Sequence, residues 1–172
     1  MSTSCWSVTL GDLVEQDGLY YKKFTETPFT GKVNGEEKGK LKGGKKNGRW
    51  ISYYDNGKKK SKGVYKNGEL EGKWSHYWYN GKIFEKKSYK NGKREGKWQW
   101  YSWEGNLYAQ TFFKNDREEG ESTEYHSDNG RLYRKGIYRN GQKEGQWIFQ
   151  DADGAVITEL AGIYKNGKKI SD

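Results

Sequence analysis

The 172-residue chain contains one cysteine, Cys5, too few for an internal disulfide or a cysteine-based metal cluster. It has no run of about 18 apolar residues, which excludes a transmembrane helix. Its start, MSTSCWSVTL, lacks the basic and apolar regions of a signal peptide. The compartment expected from this beginning is the cytoplasm. A chain trimmed of its leader reads the same, so the periplasm or secretion stays open. Aliphatic content is also low. Leu, Ile, Val and Phe number 26, about 15% of the chain, below the rough 20% at which disorder becomes the default reading.

The aromatic content argues against disorder. Eight Trp, 14 Tyr and six Phe make up 16% of the residues, and disordered chains are poor in such side chains. A thick two-layer core is out of reach, but each aromatic buries a large area. The expected solution is a thin structure stabilised by Trp and Tyr packed along a sheet.

Those aromatics are phased. Gly48, Gly72, Gly96, Gly120 and Gly145 recur at spacings of 24, 24, 24 and 25, with Trp50, Trp74, Trp98, Ser122 and Trp147 two residues on. Tyr53, Tyr77, Tyr101 and Tyr125 form a second column; Tyr65, Tyr89, Phe113, Tyr138 and Tyr164 form a third. Two glycine turns divide each period into short extended runs such as Trp50–Tyr54 and Lys60–Tyr65. The recurring Asn-Gly pairs, at Asn34, Asn47, Asn56, Asn67, Asn80, Asn91, Asn129, Asn140 and Asn166, suit type I′ hairpin turns. Gly and Asn interrupt every window, and no apolar set follows a helical period. Trp50 and Tyr53 have opposite strand parity, so either a bulge separates them or the Trp sits where turn meets strand. Gly63, Gly136 and Gly162 leave room for a large ring to lie flat on the backbone.

The reading is all-β: an elongated single-layer antiparallel β-meander of about five 24-residue β-hairpin repeats with an N-terminal cap. Residues 1–30 carry a net charge of −2 and form the capping segment, with its strand at 18–24 ended by Pro28-Phe29. Residues 31–172 carry the repeats. Terminal repeats need such protection. Ile157–Tyr164 reads as an open edge, which makes strand-to-strand homodimerisation an expectation there.

The runs Tyr65-Lys66-Asn67-Gly68, Tyr89-Lys90-Asn91-Gly92 and Tyr164-Lys165-Asn166-Gly167, with Gly72-Lys73-Trp74 and Asp55-Asn56-Gly57-Lys58, resemble MORN repeats of the variant bacterial kind. The segment from Gly18 through Val33 resembles the leading segment of the same proteins, many of which are labelled YwqK-type antitoxins. The resemblance implies a meander of β-hairpins and a protein-interaction or dimerisation module, with phospholipid binding disputed. The fourth unit departs most: Asp116 replaces Gly, Ser122 replaces Trp, and one residue is inserted between Tyr125 and Gly130. An irregularity is expected there.

No constellation supports catalysis, and neither a cofactor nor a metal site is expected. His76 and His126 read as exposed strand residues at non-equivalent positions, with no third ligand. Cys5 has no partner that would make it a nucleophile. Glu36-Glu37 and Glu118-Glu119 read as solvated turn residues. Gly57-Lys58 lacks the spacing and following helix of a phosphate loop.

Charge is the best remaining clue. Of the net +9, residues 31–60 carry +7 and residues 61–90 carry +4. The candidate binding residues are Trp74, Trp78, Trp98, Trp100 and Trp103 with Lys58, Lys59, Lys60, Lys82, Lys86 and Lys87. The expectation is a non-enzymatic scaffold that presents an aromatic and lysine-rich sheet face to a protein partner, in the antitoxin-like case a cognate toxin. The alternative is binding of anionic phospholipid or nucleic acid by the basic 31–90 region. Carbohydrate stacking ranks below both.

Overall fold

The computed structural model describes residues 7–171; Cys5 lies outside them. After a 3-10 turn at Leu10–Asp12, β1 (Leu13–Gln16) and β2 (Leu19–Lys22) form a two-stranded sheet. A second, 15-stranded sheet holds everything that follows. Its strands are β3 (Gly31–Val33), β4 (Glu37–Lys42), β5 (Lys45–Lys46), β6 (Gly48–Tyr53), β7 (Lys59–Lys66), β8 (Glu69–Tyr77), β9 (Ile83–Lys90) and β10 (Lys93–Arg94). They continue with β11 (Gly96–Tyr101), β12 (Leu107–Lys114), β13 (Arg117–Tyr125), β14 (Leu132–Arg139), β15 (Gln142–Phe149), β16 (Gly162–Lys165) and β17 (Lys168–Ser171). Pairing is antiparallel and follows chain order, with the short β5 and β10 folding back onto β4 and β9. The meander is one open layer. Among the described residues no helix is long and apolar enough to cross a membrane.

The two turns of each repeat differ, and only one is of the expected kind. Asn67-Gly68, Asn91-Gly92, Asn140-Gly141 and Asn166-Gly167 have positive φ at both residues, as type I′ requires; Asn115-Asp116 does the same without a glycine. At Asn56-Gly57, Asn80-Gly81 and Asn129-Gly130 only the glycine is left-handed, and Asn34 and Asn47 likewise keep negative φ. In the first of these, Gly57 N–H donates to Tyr54 O and Tyr54 N–H to Lys58 O, a type I turn closed by a left-handed glycine.

Neither alternative holds for Trp50 and Tyr53: Trp50 lies within β6, and no extra residue of β6 separates the two. The register slips between Ser52 and Tyr53, where Lys60 is the extra residue on β7, and slips again at His76/Tyr77 and Trp100/Tyr101. Alternation then places Trp50, Trp74, Trp98 and Trp147 on one face with Tyr65, Tyr89, Phe113, Tyr138 and Tyr164. Tyr53, Tyr77 and Tyr101 stand on the other.

The first face replaces a core. Trp50, Trp74, Trp98 and Trp147 are 3%, 5%, 7% and 0% exposed. Each ring is enclosed by the strand before it. A Cβ on Gly63 would lie 2.1 Å from Trp74, and one on Gly136 2.2 Å from Trp147. The ring that needs the glycine is therefore the cross-strand Trp, not the Tyr two residues on. Trp74, Trp98 and Trp147 donate Nε1–H to the carbonyls of Val64, Ser88 and Ile137 at 3.0–3.1 Å. Edge-to-face contacts link Trp50 to Tyr65, Tyr65 to Trp74, Tyr89 to Trp98 and Tyr138 to Trp147.

At the N-terminal side, Val8, Leu10, Leu13, Tyr20 and Phe29 pack on Val33 and Leu41, which are 1% and 0% exposed. The expected strand at 18–24 is shorter, Leu19–Lys22, and β1 is its partner. At the other side the edge is β17. The segment before Gly162 is irregular and β16 is paired on both sides, which corrects the assignment of the edge to Ile157–Tyr164.

Candidate functional site

Cross-strand pairing builds a basic surface on the second face. The row Lys38–Ile51–Lys62–Ser75–Lys86–Gln99 runs across β4, β6, β7, β8, β9 and β11. Lys38, Lys62 and Lys86 recur every 24 residues, so they stand two strands apart, about 10 Å. Their ammonium groups lie 5.0, 5.8 and 5.3 Å from the ring centroids of Tyr53, Tyr77 and Tyr101. Arg49, Lys73 and Lys97 repeat at the same interval. All six cations are exposed. Shallow depressions of about 370 and 450 Å³ lie between the two rows; Arg49, Lys62 and Lys73 line one, and Lys73, Lys86 and Lys97 line the other. Past Lys86 the row runs through the uncharged Gln99, Gln110 and Thr123 before it meets the next cation, Lys135.

The residues singled out from the sequence fall into three places. Trp74 and Trp98 are buried in the first face and offer no surface to a partner, a correction that follows from their enclosure by the neighbouring strand. Lys87 is on that face too, ion-paired with the buried Glu85 at 2.6 Å and 4.8 Å from the Trp98 centroid. Trp100 is half-buried beside Trp98. Trp78, Trp103, Lys58 and Lys82 belong to one row of turns, with Lys59 and Lys60 exposed next to it. Of the eleven, Lys86 alone lies in the basic row. The aromatic and lysine-rich surfaces are thus largely on opposite faces, because strand alternation sets Lys62 and Lys86 one residue out of phase with the Trp column.

The row of turns is a structural zipper. Tyr54 Oη donates to Tyr77 O, Asn56 Nδ2 to Tyr79 O and Lys58 Nζ to Asn80 O. One repeat on, Trp78 Nε1 donates to Tyr101 O, Asn80 Nδ2 to Trp103 O and Lys82 Nζ to Glu104 O. His126, Asn129 and Arg131 make the corresponding bonds to Gln150, Ala152 and Asp153. His126 is therefore a rung of this ladder, not an exposed strand residue. His76 is half-buried against Trp74, and burial pushes its imidazole pKa down. Among the described residues no three His, Cys, Asp or Glu side chains cluster as a metal site.

The MORN repeat variant family matches residues 46–67, 70–91 and 94–115. Residues 46–115 are three MORN repeat variants. Each MORN match opens just before a buried Trp and closes at the next type I′ turn. The MORN match stops at 115, although the sheet continues through β17 with the same pairing. Beyond that point the next unit has Ser122 in place of the Trp that all three matched units carry. No curated protein matches the chain.

Proposed function

We propose that the protein is a non-catalytic interaction module whose basic face, from Lys38 to Tyr101, docks an acidic surface of a protein partner. The observation that carries this reading is the 24-residue recurrence of exposed cations in two rows, with a tyrosine ring beneath each member of one row. The rings supply rigid area that desolvates at low entropic cost, and the cations steer encounter. Resemblance to antitoxin-like repeat proteins makes a toxin the first partner to test. A second reading, an anionic phospholipid surface, draws on the same evenly spaced cations.

The test compares wild type with Lys62→Gln/Lys86→Gln and with Tyr77→Ala. Capture of an acidic protein that weakens in both variants, and that partly survives raised salt, supports the reading. Binding only to phosphatidylserine vesicles, abolished by salt, supports the second one. Capture unaffected by either variant contradicts both.

A further inference from the structure

On the first face every unit but the fourth supplies its own Trp ring, and the first, third and fifth also supply a cation, the second having Leu70 at that position. Lys46 Nζ sits 4.5 Å from the Trp50 centroid, and Lys143 Nζ 5.0 Å from Trp147. Arg94 stacks 4.3 Å from the centroid of Phe113, beside Trp98. In the fourth unit the ring is replaced by Ser122 and the cation by Glu118. The residue beneath is Thr111, where Gly39, Gly63 and Gly136 receive Trp50, Trp74 and Trp147, and Lys87 lies beneath Trp98. These changes leave a notch of about 240 Å³, lined by Trp100, Thr111, Glu118, Ser122, Glu124 and Arg134 among others.

The polar groups of this notch are incompletely matched. Thr111 is 5% exposed, and its hydroxyl is buried with no hydrogen-bond partner. Arg134 is taken by Glu124 at 2.6 Å. Glu118 is half-buried, and among the described residues no hydrogen bond or ion pair reaches its carboxylate. With Glu124 and Arg134 cancelling, the notch carries one net negative charge in a chain of net charge +9. Trp100 provides an indole wall.

We propose that this notch binds a guanidinium group, presented by an arginine side chain of a partner polypeptide. A planar cation fits all the unmet features at once. It pairs with the Glu118 carboxylate through two parallel N–H donors, offers a third to the Thr111 hydroxyl, and stacks on Trp100. It restores in trans the cation that the first, third and fifth units hold in cis. The site lies on the face opposite the basic rows, so it stands or falls independently of the function proposed above.

The probe is N-acetyl-argininamide, titrated into the full chain and followed by amide and indole NMR shifts. The expected result is a saturable shift at Trp100 Nε1–H and at the Thr111 and Ser122 amides, with dissociation in the millimolar range. Glu118→Gln, which keeps the shape and removes the charge, should weaken binding at least tenfold. Ser122→Trp should abolish it by filling the notch. No saturable shift, or an unchanged affinity in Glu118→Gln, overturns the proposal. An equal response to N-acetyl-lysinamide overturns its planar part.

Discussion

The boundary between the second and third repeats and that between the third and fourth share antiparallel strand pairing and differ in their side chains. At the first, three side chains of the Trp78–Lys82 turn hold carbonyls of the next turn, and Trp98 is enclosed against the strand below. At the second, the equivalent turn residues are Ser102, Glu104 and Asn106, and among the described residues none reaches the following turn. Ser122 replaces the buried indole. The opposite row of turns is intact at both boundaries. Asn91 and Asn115 donate N–H to Glu71 and Glu95 carboxylates, and Gly92 and Asp116 to Leu70 and Arg94 carbonyls. Strand pairing is therefore independent of which side chains cover it, while the hold between neighbouring repeats is not.

The sharpest way to break this comparison is to empty a filled position. Trp74→Ala should lose about 3–5 kcal/mol in denaturant unfolding, whereas Ser122→Ala should change stability by less than about 1 kcal/mol. Equal losses would erase the distinction. The floor of the ring gives a smaller contrast. Gly63→Ala forces a methyl into the Trp74 ring and should cost about 1–3 kcal/mol. Thr111→Ala removes a hydroxyl that has no partner and should be near neutral or stabilising.

The features legible in the sequence were those that recur: the 24-residue period, the hairpin meander, the Trp column and the anomalous fourth unit. The features missed were geometric. Two Asn-Gly classes look identical as dipeptides, yet only Asn67, Asn91, Asn140 and Asn166 adopt the left-handed region. Ordinary alternation puts Tyr53, Tyr77 and Tyr101, with Lys62 and Lys86, on the face opposite the Trp column, so lysines and tryptophans expected together were separated. The basic rows had a signal of their own, the 24-residue spacing of Lys38, Lys62 and Lys86, which a tally of local charge passes over. His126 gave no hint of its rung because Tyr54, Trp78 and His126 share only the ability to donate from a ring.

The turn zipper offers finer tests. Asn80→Ala removes the bond to Trp103 O and the bond that accepts Lys82 N–H, and should cost about 1–2 kcal/mol. Grafting Glu104→Asn with Asn106→Lys should add up to about 1 kcal/mol at the weak boundary. Thermal unfolding of the two variants checks both. The smallest expected effect depends on pH. Burial raises the Glu118 carboxyl pKa, outweighing Arg134 and Arg94. As pH rises, the unfolded chain gives up that proton first, so stability falls across the window between unfolded and folded pKa. Glu118→Gln should therefore melt slightly above wild type at pH 7 and match it well below the carboxylate range.

The central claim is that stacked indoles do the work of a core, and native-state hydrogen exchange along the whole chain tests it most directly. The account predicts the slowest exchange in β6, β8 and β11 around Trp50, Trp74 and Trp98, with a distinct drop in protection across β12 and β13 at Ser122. Uniform protection from Gly48 to Phe149, or a maximum at Ser122, would contradict it.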